Sequence, residues 1–166
     1  MRTLYLFKVT INGPTCYYKT GYVVSDSLDD AYQVYLSFLG RYRLDRWHTG
    51  LKDIEVLAST GGEEVLRPHH SMLLLTEVLL LTGEVPKNQT FYLIKITVNG
   101  VQNACYRTGY VVSDSLDDAY RVYLSFLKKK YPKYQGGLVS VEVLANTNEE
   151  TNDINHYILL ISLDKS

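Results

Sequence analysis

The chain has 166 residues, near the size of one average domain or two small ones. Hydrophobic residues make up 46% and charged residues 21%, an ordinary globular composition that excludes intrinsic disorder. With 18 acids against 17 bases there is no global electrostatic case for nucleic acid or an anionic membrane, and two cysteines exclude both a disulfide-stapled scaffold and a four-thiolate zinc site.

Tyr5, Phe7, Val9 and Ile11 alternate with Leu6, Lys8 and Thr10, the period of two of a half-buried strand. Lys8 breaks the opening apolar run, which is not the pattern of a signal peptide, so a cytoplasmic protein is expected. Asn12-Gly13 supplies the positive φ angles of a tight hairpin, so an antiparallel strand is expected to return at once over residues 18–25. The period then changes. Leu28, Ala31, Tyr35, Phe38 and Tyr42 fall three and four apart, along one face of a helix. Asp26 is its expected N-cap, with Ser27 as the rival, and the early carboxylates suit the positive end of the helix dipole. Two more strands are expected over residues 53–59 and 71–81. The second is apolar on both faces, as buried strands are, and shorter than the ~20 residues that span a bilayer. Gly83 and Pro86 then mark a linker, set at residues 85–89.

Beyond the linker the same order returns. Residues 20–39 and 108–127 are identical except at Gln33/Arg121, and Asn12-Gly13 recurs as Asn99-Gly100. The matching strands are expected over 92–98, 106–113, 138–145 and 155–163. The expected fold is α+β: two tandem ββαββ repeats, residues 1–84 and 90–166, each an antiparallel sheet covered by one helix and packed as a pseudo-twofold pair. A unit of this size is marginal alone. Its helix also carries Val34 and Leu36 off the main stripe, widening the apolar arc to roughly 200°, more than one sheet covers. Burial between the copies, or self-association as a dimer, is expected. Tyr22, Tyr32, Val34 and Leu36 with Tyr110, Tyr120, Val122 and Leu124 are the candidate symmetric interface. The identity extends to Ser37 and Asp30, expected to be exposed, and so argues for a contact beyond packing.

Four groups of residues could carry chemistry, and each has a plain structural role beside it. His48, His69, His70 and His156 have no cysteine nearby and no repeated carboxylate, so surface histidines are favoured over a metal site. Cys16 and Cys105 follow a turn with no His or second Cys beside them, so small buried thiols are favoured over nucleophiles. The Ser-Asp-Ser-Leu-Asp-Asp string, at residues 25–30 and 113–118, lacks the Gly of a Ca²⁺ loop, and helix capping accounts for each polar residue in it. The segments after the helices mix cations with aromatics: Arg41, Arg43, Arg46 and Trp47, then Lys128, Lys129, Lys130, Tyr131, Lys133 and Tyr134. That mixture suits a nucleic-acid strand through phosphate neutralisation and base stacking. Its plain alternative is a solvated loop whose cations favour the helix C-terminus.

The strings Leu-Tyr-Leu-Phe-Lys-Val-Thr-Ile-Asn-Gly, Gly-Tyr-Val-Val-Ser-Asp-Ser-Leu-Asp-Asp-Ala-Tyr and Ile-Glu-Val-Leu-Ala resemble small uncharacterised ββαββ-type proteins of gut bacteria and their phages and mobile elements. The resemblance implies an intracellular life in a bacterial host and no assigned activity; the doubled arrangement departs from the single-unit form of that group. The expected function is a non-enzymatic binding or assembly module without cofactor. Its partner is expected to be a protein or a second copy of the chain, not a membrane. Two alternatives remain: nucleic-acid binding through the post-helix segments, and a phage-encoded inhibitor of host defence that grips a host protein or a nucleotide signal between the copies.

Overall fold

The first strand shows why the chain folds as it does. In Tyr5–Asn12 (β1), Leu6 and Phe7 point to opposite faces and both are buried, so the strand is covered on two sides rather than one. The computed structural model describes residues 3–12, 20–41, 50–61, 71–86, 88–99, 107–148 and 157–163. After β1 come Thr20–Ser25 (β2), helix Leu28–Arg41 (α1), Gly50–Ser59 (β3), Ser71–Leu75 (β4) and a short helix Glu77–Thr82 (α2). Then follow Tyr92–Val98 (β5), Arg107–Ser113 (β6), helix Leu116–Lys130 (α3), Leu138–Asn146 (β7) and Tyr157–Ile161 (β8). The fold is α+β. No helix among the described residues is long and apolar enough to cross a membrane.

The strands form one mixed sheet closed into a barrel in the order β1-β2-β8-β7-β5-β6-β4-β3. This corrects the expectation of two separate antiparallel sheets. β1 does pair antiparallel with β2 and β3, and β5 with β6 and β7. The last strands cross over. β4 runs parallel to β6 from Met72↔Gly109 to Leu75↔Val112, and β8 runs parallel to β2 from Gly21↔Ile158 to Val24↔Ile161. Against its sequence neighbour β3, β4 keeps only Ala58↔Ser71 and Ser59↔Met72. Crossing over covers the free edges of β2 and β6, which would otherwise present unpaired backbone groups, and closure removes every edge. The hairpins are also looser than Asn-Gly suggests: β1 and β2 pair as far as Thr10↔Thr20, leaving residues 11–19 in the connection.

Apolar side chains fill the barrel from both halves of the chain: Leu6, Val24, Leu73 and Leu75 meet Leu93, Val112, Leu159 and Leu163. α1 covers the outer face of β1 and β2 with Ala31, Tyr35, Phe38 and Leu39, and α3 covers β5 and β6 with Ala119, Tyr123 and Leu127. Gly21 and Gly109 permit this close approach. A Cβ on Gly21 would lie 2.5 Å from Tyr35 Cε1, and one on Gly109 would lie 2.3 Å from Tyr123 Cε1.

The strand expected over residues 71–81 ends at Leu75. Thr76 (φ −66°, ψ 157°) holds the N-cap position of α2 without a side-chain hydrogen bond, and Gly83 (φ 78°) closes the helix in the left-handed region, its N–H donating to the Leu79 carbonyl at 2.8 Å. Only Leu79 of that helix joins the barrel interior, while Leu80 and Leu81 are 58% and 78% exposed. A short apolar run has no period that separates strand from helix, and here the left-handed Gly83 marks where the helix ends.

Candidate functional site

The acidic string at the start of each long helix is a cap. Ser27 Oγ accepts from the Asp30 N–H at 3.1 Å and Ser115 Oγ accepts from the Asp118 N–H at 3.1 Å, so serine holds the N-cap position and Asp26 does not. The buried Ser25 hydroxyl donates to Asp30 Oδ2 at 2.7 Å, and that oxygen also accepts from Ser162 Oγ at 2.7 Å, from the far half of the chain. In the second setting Ser113 donates to Asp118 Oδ2 at 2.9 Å and Arg121 pairs with Oδ1. Asp30 is therefore a half-buried, doubly bonded residue, and its identity in both copies follows from this network rather than from an exposed contact. Ser37 is exposed, and nothing in the structure explains its identity.

The long connection of chemistry to structure lies at one end of the barrel. Leu79, Leu4, Phe91 and Leu163 fill the other end. Two residues beyond Leu6 the same face of β1 presents Lys8, opposite Tyr22 on β2 and Glu55 on β3. On β5, Lys95 stands likewise opposite Tyr110 and Glu142. Ile54 and Val56 pack outward beneath α1, which turns Glu55 inward between them. At the rim Thr10 and Thr20 hydroxyls meet at 3.4 Å, as do those of Thr97 and Thr108. Tyr157, on the inner face of β8, packs edge to face on Tyr22 with ring centroids 5.8 Å apart.

Tyr22 and Tyr110 are only 6% and 8% exposed, both within the interior apolar cluster. Neither hydroxyl hydrogen-bonds to a described residue, and neither is sealed from solvent. Burial pushes the Tyr22 phenol up to about 12, with Tyr157, Tyr110, Glu142 and Glu55 adding to the shift. Burial raises Tyr110 too, followed by Glu55 and Glu142. Carboxylates from both halves of the chain thus act on the same two phenols, while Lys8 and Lys95 on the same inner face carry the opposite charge. Both phenols stay protonated at neutral pH, as donors and acceptors.

The candidate interface residues are divided by this arrangement. Tyr22 and Tyr110 lie inside the barrel, whereas Tyr32, Val34 and Leu36 pack against the α1 cluster and Tyr120, Val122 and Leu124 against the α3 cluster. Of the post-helix residues, Lys128, Lys129, Lys130 and Lys133 are exposed, with Lys130 Nζ 5.9 Å from the Phe126 ring centre. Tyr131 is half-buried. Tyr134 is enclosed at 6% exposure, its hydroxyl donating to the Asn99 carbonyl at 3.4 Å, so its ring offers no face for stacking. Arg43, Arg46, Trp47, the four histidines and both cysteines lie outside the described residues, as does the side chain of Arg41. Among the described residues no three His, Cys, Asp or Glu side chains are grouped to hold a metal ion.

Of the mouth residues only Tyr22 and Tyr110 are sequence-based candidates, and as an interface rather than a ligand site. Its signal was available: Lys8, Tyr22 and Glu55 share strand faces with buried leucines and valines, a polar end to an otherwise apolar stripe. Compared with protein-family models, curated proteins and solved structures, the chain matches none.

Proposed function

We propose that this protein is a non-enzymatic binding module, a barrel built from two ββαββ copies, residues 1–84 and 90–166, related by a pseudo-twofold axis, which holds a small molecule at its polar mouth. Support for the two-copy reading comes from matched register: Lys8↔Tyr22 and Lys95↔Tyr110, Gly21↔Ile158 and Gly109↔Met72. The observation that carries the binding reading is the pair Tyr22 and Tyr110. Each is more than nine-tenths buried, yet each keeps its hydroxyl open to solvent without a partner among the described residues. A buried ring whose hydroxyl stays solvent-accessible and free of protein partners at a mouth is what a ligand site offers.

Native mass spectrometry of the full chain purified from cell extract tests this. The expected result is a retained small molecule that is lost when Tyr22→Phe and Tyr110→Phe are combined. The reading is overturned if extract metabolites neither add mass nor raise Tm. Nucleic-acid binding through the post-helix segments is less favoured, since with Tyr134 enclosed the α3 end offers chiefly phosphate contacts.

A further inference from the structure

Resting on the mouth as a ligand site, we propose that its ligand is a single organic ammonium ion, seated among the rings of Tyr22, Tyr110 and Tyr157 between Glu55 and Glu142. Tyr22 and Tyr157 meet edge to face at 66° with centroids 5.8 Å apart, giving two walls of a corner. A cation held within about 6 Å of such ring faces is attracted by their quadrupoles, most strongly where water is partly excluded. The two glutamates supply the counter-charge. Both are exposed, and no salt bridge joins either to a described residue. The unpartnered Tyr22 and Tyr110 hydroxyls add acceptor oxygens, whose lone pairs attract a cation with or without N–H groups. Because the tyrosines are buried, a weakly hydrated organic cation loses less on entry than sodium does.

The stoichiometry follows from an asymmetry. Tyr157 stands opposite Ala145, and the residue in the matching register, opposite Ala58, is Ser71. The third ring therefore exists on one side only, and one cation head is caged rather than two. Lys8 and Lys95 share the inner face and oppose the ligand as like charges. A long lysine stem can carry its ammonium group away from a neighbouring cation, so they weaken binding without preventing it.

The test is a titration of the full chain with tetramethylammonium chloride at constant ionic strength, followed by the ligand's methyl NMR signal, with sodium chloride and inorganic phosphate as comparators. Saturable one-to-one binding is expected, with an upfield methyl shift from the ring currents. Glu55→Gln with Glu142→Gln should weaken it at least about tenfold, and Tyr157→Ser about fivefold. Lys8→Met with Lys95→Met should tighten it. Circular dichroism checks that each variant is folded; Glu55, Glu142 and Tyr157 are all exposed enough to be replaced without opening the core. Binding unchanged in the double Gln variant overturns the proposal. Saturable phosphate binding that Lys8→Met with Lys95→Met abolishes also overturns it, while keeping the mouth as a ligand site. Binding of neither ion overturns the ammonium assignment, and the mass-spectrometric result then decides whether the mouth binds anything.

Discussion

Asp30→Ala and Asp118→Ala make the same change in two settings whose surrounding 20 residues differ only at Gln33/Arg121, yet they should cost different amounts. Asp30 Oδ2 accepts from Ser25 and from Ser162, both at 2.7 Å. A hydrogen bond to a charged acceptor contributes about 1.5–3 kcal/mol. Ser25 retains a fallback acceptor in the Ser27 carbonyl at 3.2 Å, so the lower end applies and two such bonds give a loss of about 3 kcal/mol. Asp118 has one comparable bond, from Ser113, and a pair with Arg121, whose side chain is 72% exposed. That exposed pair is worth about 0.3–0.5 kcal/mol, so Asp118→Ala should cost about 2 kcal/mol in all. In urea, with m of about 2 kcal/mol/M, the midpoints should fall by about 1.5 M and 1 M respectively. A double-mutant cycle sharpens the contrast. Asp30→Ala with Ser162→Ala should show coupling of about 1 kcal/mol or more, and Asp118→Ala with Thr76→Val should show none, because the Thr76 hydroxyl is buried without a hydrogen-bond partner. Equal losses at the two aspartates, or coupling below about 0.3 kcal/mol for Asp30 and Ser162, would refute the claim that Ser162 ties the two halves together through this carboxylate.

Gly21→Ala places a methyl group 2.5 Å from the Tyr35 ring, so the chain should lose about 1–3 kcal/mol in chemical denaturation, part of it restored by adding Tyr35→Leu. Tyr22 favours its neutral form in the folded state, so its contribution to stability is complete below pH 10 and is lost as pH rises toward about 12; Tyr22→Phe should flatten that alkaline loss in a Tm-versus-pH series. Residues 1–84 expressed alone should form a dimer, since β4 lacks its β6 partner and a second copy offers β2 in its place; a soluble monomer by analytical ultracentrifugation would contradict the two-copy reading.

Much of the local structure is legible in the residues themselves. The change of period after Ser25 marks the passage from strand to helix, and the serine-aspartate string marks the cap. Ser27 rather than Asp26 takes the cap only in the folded backbone, since both residues are good caps and one residue of register separates them. The apolar run after His70 misled for a different reason: alternation and helical spacing are indistinguishable when nearly every position is leucine, and the exposure of Leu80 and Leu81 is a property of the assembled barrel.

By itself the chain's sequence determined the two long helices and most of the strands, because these depend on neighbours a few residues apart. Which strand β4 and β8 would join was decided only by the tertiary structure. Either edge satisfies the backbone, and closing the barrel across the halves is what leaves no edge unpaired. The mouth is a consequence of that closure: Tyr22, Tyr110, Glu55 and Glu142 lie far apart along the chain and acquire a common environment only when the sheet joins end to end.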